Sequence, residues 1–375
     1  MIRALVGALA AAGCAGAAIA DGGHDGAFFI ADDNGQRLEV SGFLQFRWTG
    51  VSRDAPQEPD IEHGFEFRRV RLTFEGTVLD PRLSFKITPS FSRNGGDAGF
   101  SDAYIDYELD EGVVIRMGQF KPPLLAEELM SAKRQLAADR SMTNSVFTLQ
   151  RSQGVMLEWE RDRWRGAASI NDGARAAESA WHDDDSDFAA TARVERLLDG
   201  AFRQFRAFSA PRETERGWLV GGAAHYELGA DRPGEDPTSA VTGTLDSMWQ
   251  GDGWNAFVAA MARYTGDDPA VGNALDAGLV AQAGRFLTDD IEGFLRWDGV
   301  LPDGDRPGDE LFQTVTIGAN WYIHGHALKL TTDLQWFPDR ASDNDLVSTN
   351  AGVGYLDDGA DRNEIVIRAQ LQLLF

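Results

Sequence analysis

Apolar and polar residues alternate one by one along most of this chain. The clearest stretch is 363–375, N-E-I-V-I-R-A-Q-L-Q-L-L-F. Ile365, Ile367, Ala369, Leu371, Leu373 and Phe375 share one face of a strand, and Glu364, Val366, Arg368, Gln370, Gln372 and Leu374 share the other, because successive strand side chains point to opposite sides. The same period runs through Leu38 to Thr49, Arg69 to Val78 and Leu83 to Thr88. Further runs lie near 100–109, 113–120, 152–160, 163–171, 187–197, 217–228, 240–250, 254–264, 276–286, 291–299, 312–323 and 326–337, of which 240–250 and 276–286 are the weakest. Together they make about sixteen strands of roughly ten residues, the length of a tilted membrane-crossing strand.

The connectors alternate as well. Asp80-Pro81, Asp110-Glu111-Gly112, Arg161-Asp162 and His324-Gly325 are short, whereas the stretches after Gly50, Phe120, Asn171, Leu228, Tyr264, Val300 and Phe337 are long. Short turns on one rim and long loops on the other predict an all-β fold, a closed antiparallel transmembrane barrel with both termini on the turn rim. Tryptophan and tyrosine beside the turns, such as Trp48, Tyr107, Trp159, Trp164 and Trp336, suit interfacial girdles. A soluble β-sandwich is the competing reading. It leaves unexplained a chain ending on an apolar strand, which a closed barrel protects from edge pairing.

One connector differs. Two prolines, Pro122-Pro123, stop the strand that ends in Gly118-Gln119-Phe120, since proline cannot donate to a ladder. Leu124 to Arg151 follows, a mixture of helix formers and polar residues. A loop of this length is expected to have a function, and in a barrel it folds into the lumen.

Composition adjusts the picture at the edges. Residues 1–20 pair one positive charge with a short apolar run ending in Ala18-Ile19-Ala20, which predicts a cleaved signal peptide. Residues 21–36 read as a flexible polar lead-in, and 37–375 as the barrel domain. Cys14 is the only cysteine, so no disulfide or thiolate metal site is expected in the mature chain. No segment has the eighteen consecutive apolar residues of a membrane helix. The net charge of −24 argues against nucleic-acid partners. The acids cluster at 183–185, 231–236, 303–310, 339–345 and 357–361, among Gly, Pro, Asn and Ser, and read as solvated loops. Cation-bridged contact with lipopolysaccharide is the alternative use for them.

Six segments in order resemble the phosphate-selective porin O and P family. They are Phe67-Arg68-Arg69-Val70-Arg71-Leu72, Ser92-Arg93-Asn94, Asp102-Ala103-Tyr104, Gly118-Gln119-Phe120 with its loop, Gly318-Ala319-Asn320-Trp321-Tyr322-Ile323 and Ala327-Leu328-Lys329-Leu330. The resemblance spans nearly the whole mature chain. It implies a sixteen-stranded, trimeric outer-membrane porin with an inward third loop, surrounded by lipid and lipopolysaccharide and passing small anions such as phosphate. Family members that bind phosphate carry an arginine before the L-Q pair of the first strand and a lysine in the third loop. This chain has Phe43 and Glu128 there, which leaves phosphate, another oxyanion and an organic acid open as the preferred solute.

Strand phase turns Arg47, Arg69, Arg71, Lys86 and Arg116 toward the lumen and sets Arg68 near the rim. Lys121, Lys133, Arg134, Arg140 and Arg151 line or follow the loop. Guanidinium groups match the oxygens of phosphate and carboxylate, and a ring of them in a narrow pore favours anions. Glu75, Asp102, Asp106, Glu108, Glu127 and Glu128 are near enough in sequence to pair with some of these. No catalytic motif occurs, and no cofactor is expected. The six histidines are scattered. His225 alone sits mid-strand, without a nameable partner. A barrel serving as adhesin or anchor is the remaining alternative, one that calls for more lumen-filling bulk than the Ser, Thr, Gly and charge of the inward positions.

Overall fold

A computed structural model describes residues 21–24, 28–32, 35–53, 60–91, 98–180, 186–229, 238–268, 271–347, 356 and 362–375. The expected signal peptide and the acidic runs at 183–185, 231–236 and 357–361 lie outside the described residues. A short hairpin, β1 (Asp21–His24) and β2 (Phe28–Ala31), comes first. The barrel follows as β3 (Arg37–Arg53), β4 (Asp60–Val78), β5 (Asp80–Phe91), β6 (Ala98–Asp110), β7 (Val113–Phe120), β8 (Ser152–Arg161), β9 (Trp164–Asn171), β10 (Ser186–Asp199), β11 (Gly217–Gly229), β12 (Ser239–Gly251), β13 (Trp254–Asp268), β14 (Gly272–Phe286), β15 (Ile291–Leu301), β16 (Phe312–His326), β17 (Leu328–Phe337) and β18 (Glu364–Leu374). The two weakest stretches of the sequence pattern are β12 and β14.

Each strand pairs antiparallel with the next, and β18 closes the ring on β3, from Ile365 opposite Ser52 to Leu374 opposite Phe43. The closed sheet therefore has sixteen strands. At the seam Gly42 and Phe375 exchange backbone hydrogen bonds of 2.6 and 3.0 Å. A Cβ on Gly42 would meet the Phe375 ring at 2.8 Å, so the missing side chain makes room for the terminal aromatic. The 21–36 segment, read as a lead-in, holds the β1–β2 hairpin, and β2 pairs with Arg37 to Val40 along the same edge of β3 that β18 uses farther on.

Inside and outside follow the two-residue period. On β18, Val366, Arg368, Gln370 and Gln372 are buried in the lumen, while Ile367, Leu371 and Leu373 are exposed on the outer wall. Leu245, Ile317 and Leu295 are likewise exposed outside, as expected of a surface whose solvent is lipid. The strand pattern breaks at one functional point. Phe46 faces Phe67 and Gln45 faces Arg69, so Arg68 is an extra residue in β4. Such a bulge inserts one unpaired residue and re-aims its side chain.

The lumen is not an open tube. Leu219, Met248, Phe257, Ala259, Met261, Val280 and Phe294 point inward from β11 to β15 and join one apolar cluster with Leu124, Leu136, Met142 and Phe147 of the third loop. These inward positions carry more apolar bulk than the sequence reading gave them. Gly278 leaves the gap that seats the loop, for a Cβ there would lie 2.5 Å from Thr143 Cγ2 and 2.7 Å from Phe147 Cε2.

Candidate functional site

The third loop, Lys121 to Arg151, turns into the barrel as its length and prolines predict. It contains two short helices, α1 (Ala126–Leu129) and α2 (Met142–Phe147). Ser141 caps α2, its hydroxyl accepting from Asn144 N–H at 2.9 Å. Buried backbone groups need partners, and the barrel wall supplies them. Lys329, Asn320 and Arg296 donate to the carbonyls of Gln135, Leu136 and Asp139 at 3.0, 3.0 and 2.9 Å. Asp298 accepts from the Met142 N–H at 2.8 Å, and Asp333 from the Ala138 N–H at 2.9 Å.

Four arginines converge on one carboxylate of this loop. Asp139 lies 2.5 Å from Arg47, 3.1 Å from Arg68, 3.4 Å from Arg69 and 3.7 Å from Arg368. The expected rim position of Arg68 is thus corrected: the bulge sends its side chain inward beside that of Arg69. Burial alone would raise the Asp139 carboxyl, but Arg47, Arg68 and Arg69 hold it well below the usual range. Arg47 also donates to Gln370 and Ala138 O, and Arg69 to Gln45.

Several other expected cations are tied to acids. Lys86 pairs with Glu75 at 2.9 Å, and Arg151 with Asp102 at 3.0 Å. Arg116 pairs with Asp106 at 2.7 Å and Glu158 at 3.1 Å. Lys121 and Arg140 hold Glu128 at 3.2 and 3.3 Å. Burial would raise Glu128, but Arg140 and Lys121 bring it down to about 2. Arg71 differs, donating to the Ser90 hydroxyl at 3.2 Å and lying 5.6 Å from the Phe43 ring centre, with Lys133 5.4 Å from the same ring. Among the described residues neither has a carboxylate within ion-pair distance, nor does the exposed Arg134.

Two large cavities lie along this charged side among the described residues. One, of about 810 Å³, reaches the turn rim at Gly112 and Arg206; ten basic and five acidic side chains line it. The other, of about 890 Å³, reaches the loop rim at Arg175 and Arg306, with nine basic and four acidic side chains. Arg71, Lys121, Ala132 and Arg151 line both, so the cavities meet at the third loop.

A second inward segment was not foreseen. The connector between β10 and β11 runs from Gly200 to Arg216 on the rim of otherwise short turns. Phe202, Phe205, Phe208 and Ala210 are buried. The Phe208 N–H donates to Arg134 O at 3.2 Å, its ring meets Phe257 at 5.0 Å, and Gln250 donates to Ala207 O at 2.7 Å. The segment carries Arg206 into the first cavity, again without a carboxylate partner among the described residues. Its signal was visible as three phenylalanines in F-R-Q-F-R-A-F, Phe202 to Phe208, too apolar for a surface turn.

Sequence reasoning also passed over Asp139, because a loop residue has no strand phase, and Arg193 and Arg296, which reach Asp246 and the carbonyl of Asp139 across long stretches of sequence. His225 does have partners: Thr191 at 2.9 Å on Nδ1 and Glu227 at 3.0 Å on Nε2. Thr191 is 2 % exposed and also receives a bond from Asn171, so its hydroxyl is enclosed rather than presented to a substrate.

The comparisons agree with this architecture. The sequence pattern of the family described as phosphate-selective porin O and P matches residues 44–373. No curated protein matches the chain in sequence. Among solved structures, the anion-selective porin from Comamonas acidovorans superposes with a TM-score of 0.65 at 13% identity, covering 91% of this chain and 100% of its own. The outer-membrane channel DcaP of Acinetobacter baumannii gives 0.62 at 12% identity, covering 92% and 99%. OmpT of Vibrio cholerae in its trimer form gives 0.57 at 8% identity, covering 91% and 99%. At such identities the likeness is one of fold. The family match over most of the chain carries more: this protein belongs to the phosphate-selective porin O and P family, and its place is the bacterial outer membrane.

Proposed function

We propose that this porin is a passive diffusion channel for small solutes with a modest preference for anions, assembled as a homotrimer within lipid and lipopolysaccharide. The observation that carries the reading is the excess of basic over acidic side chains in the first cavity, ten against five. Four of the ten, Arg71, Lys133, Arg134 and Arg206, have no ion-pair partner among the described residues. Arg47, Arg68, Arg69, Lys86, Arg116 and Lys121 set the surrounding potential while being largely compensated. The overall charge of −24 does not oppose this, because acids on the rims are screened beyond roughly 8 Å at physiological salt. Low-dielectric walls strengthen the field of the nearer groups. The anion selectivity named for the Comamonas porin and the trimer form of the Vibrio protein fit the same reading.

The test is the reversal potential of the reconstituted channel in a KCl gradient. The wild type is expected to favour chloride modestly. The double substitution Arg71→Ala and Lys133→Ala is expected to move the potential toward potassium, with assembly unchanged because neither side chain closes an ion pair. A wild-type channel that prefers potassium refutes the anion reading.

A further inference from the structure

The arginine cluster is built around an anion, and that anion belongs to the protein. Arg47 and Arg69 project from the wall on normal strand phase, the bulge adds Arg68, and Arg368 reaches across from the closing strand. Their guanidinium groups surround both oxygens of Asp139, with Arg47 at 2.5 Å and Arg368 at 3.7 Å on one and Arg68 at 3.1 Å and Arg69 at 3.4 Å on the other. Arg68, Arg69 and Asp139 all line the cavity of about 890 Å³ that opens toward the long loops. The cluster is therefore reachable by a solute entering from that side.

We infer that Asp139 is a tethered occupant of an oxyanion site. Its carboxylate fills, from the third loop, the position that a phosphate or other multivalent oxyanion would take among Arg47, Arg68, Arg69 and Arg368. Guanidinium forks bind carboxylate and phosphate oxygens in the same way. A tethered group competes at the high effective concentration of an intramolecular ligand. A permeating oxyanion meets a filled site here and passes by the unpaired Arg71 instead. Asp139 thus determines specificity, keeping the channel open to small anions in general. The inference deepens the anion-channel reading and rests on it.

The carboxylate is separable from the loop's own anchoring. Ala138 N–H is held by Asp333, Ala138 O by Arg47 and Asp139 O by Arg296, at 2.9, 3.0 and 2.9 Å. None of these bonds uses the Asp139 side chain. Removing its charge leaves Arg68 and Arg69 without their carboxylate, while Arg368 keeps Asp333 at 2.6 Å and Arg47 keeps Glu66 at 3.9 Å.

The experiment is block of single-channel chloride current by inorganic phosphate at pH 7, with the channel in planar bilayers. In Asp139→Asn the half-blocking phosphate concentration is expected to fall at least about tenfold below that of the wild type. Adding Arg69→Ala to that variant is expected to return it toward the wild-type value. Asp139→Ser serves as a second route to the same vacancy, and either variant carries the proposal. Equal phosphate sensitivity in wild type and variants overturns it. So does failure of both variants to assemble, which would make Asp139 a strut. A wild type that prefers potassium, together with phosphate block in Asp139→Asn, would sink the channel's anion preference and leave the site standing.

Discussion

The two sides of the lumen use the same backbone for opposite ends. From β3 to β9 the inward positions include Arg69, Arg71, Lys86, Thr88 and Arg116, and the cavities lie against them. From β11 to β15 they include Leu219, Met248, Phe257, Met261, Val280 and Phe294, and the third loop and the Gly200–Arg216 segment pack on them. Burial of apolar surface drives the second side shut. Buried charged groups need partners or solvent, and the first side keeps ion pairs and solvent-filled space beside them. The strand period sets which residues face inward. Whether a stretch of wall becomes core or channel depends on the chemistry of those residues.

The largest effect is expected from removing the loop that divides the two sides. Deleting Ala126 to Ser141 takes away Leu136, Ala137 and Met130 of the apolar cluster together with Asp139. Conductance should rise, on the order of twofold or more, and the uncovered apolar wall should lower the temperature at which the barrel unfolds in detergent. An assembled deletion variant with parental conductance would mean that the loop does not limit flow, and the division of the lumen would lose its functional meaning.

A smaller and more selective break is Phe208→Ala. Phe208 is 1 % exposed, and its ring packs tilted against that of Phe257 at 5.0 Å. Losing a buried aromatic ring costs about 3–5 kcal/mol in well-packed cores. The expected outcome is a lower melting temperature by heat-modifiability, with chloride preference unchanged because Arg71 and Lys133 keep their places. A shift in selectivity as large as the loss of stability would mean that the two sides are coupled rather than separate.

The two sides were also unequally legible in the sequence. Period-two alternation and the short and long connectors gave all the barrel strands, including β12 and β14, since both signals are local. The inward loop was legible from its prolines and length. The pairing inside it was not, because Arg47 and Asp139, or Asp298 and the start of α2, meet only after the barrel closes. The inward aim of Arg68, expected near the rim, was hidden, as a bulge is invisible to a periodicity argument. The Gly200–Arg216 segment was missed because its rim is otherwise made of tight turns. Its three phenylalanines make sense only against Phe257 and the wall behind them.

The finest test concerns Lys121, which stands where the two cavities meet. Burial, with Arg140 beside it, pulls its ammonium down to about 7 against the opposing pull of Glu128. The sign follows from the charge: below pH 7 the group is cationic, and above it neutral. Its partner does not follow it, because Glu128 at about 2 stays ionised throughout this range. Chloride preference should therefore be greatest near pH 5–6 and decline toward pH 8, by less than the Arg71 and Lys133 pair accounts for. Lys121→Met should flatten that dependence at the lower, alkaline level. A wild-type reversal potential that is constant from pH 5 to 8 would show that Glu128 keeps Lys121 charged throughout, and that the junction of the cavities acts as a closed ion pair rather than as part of the charged path.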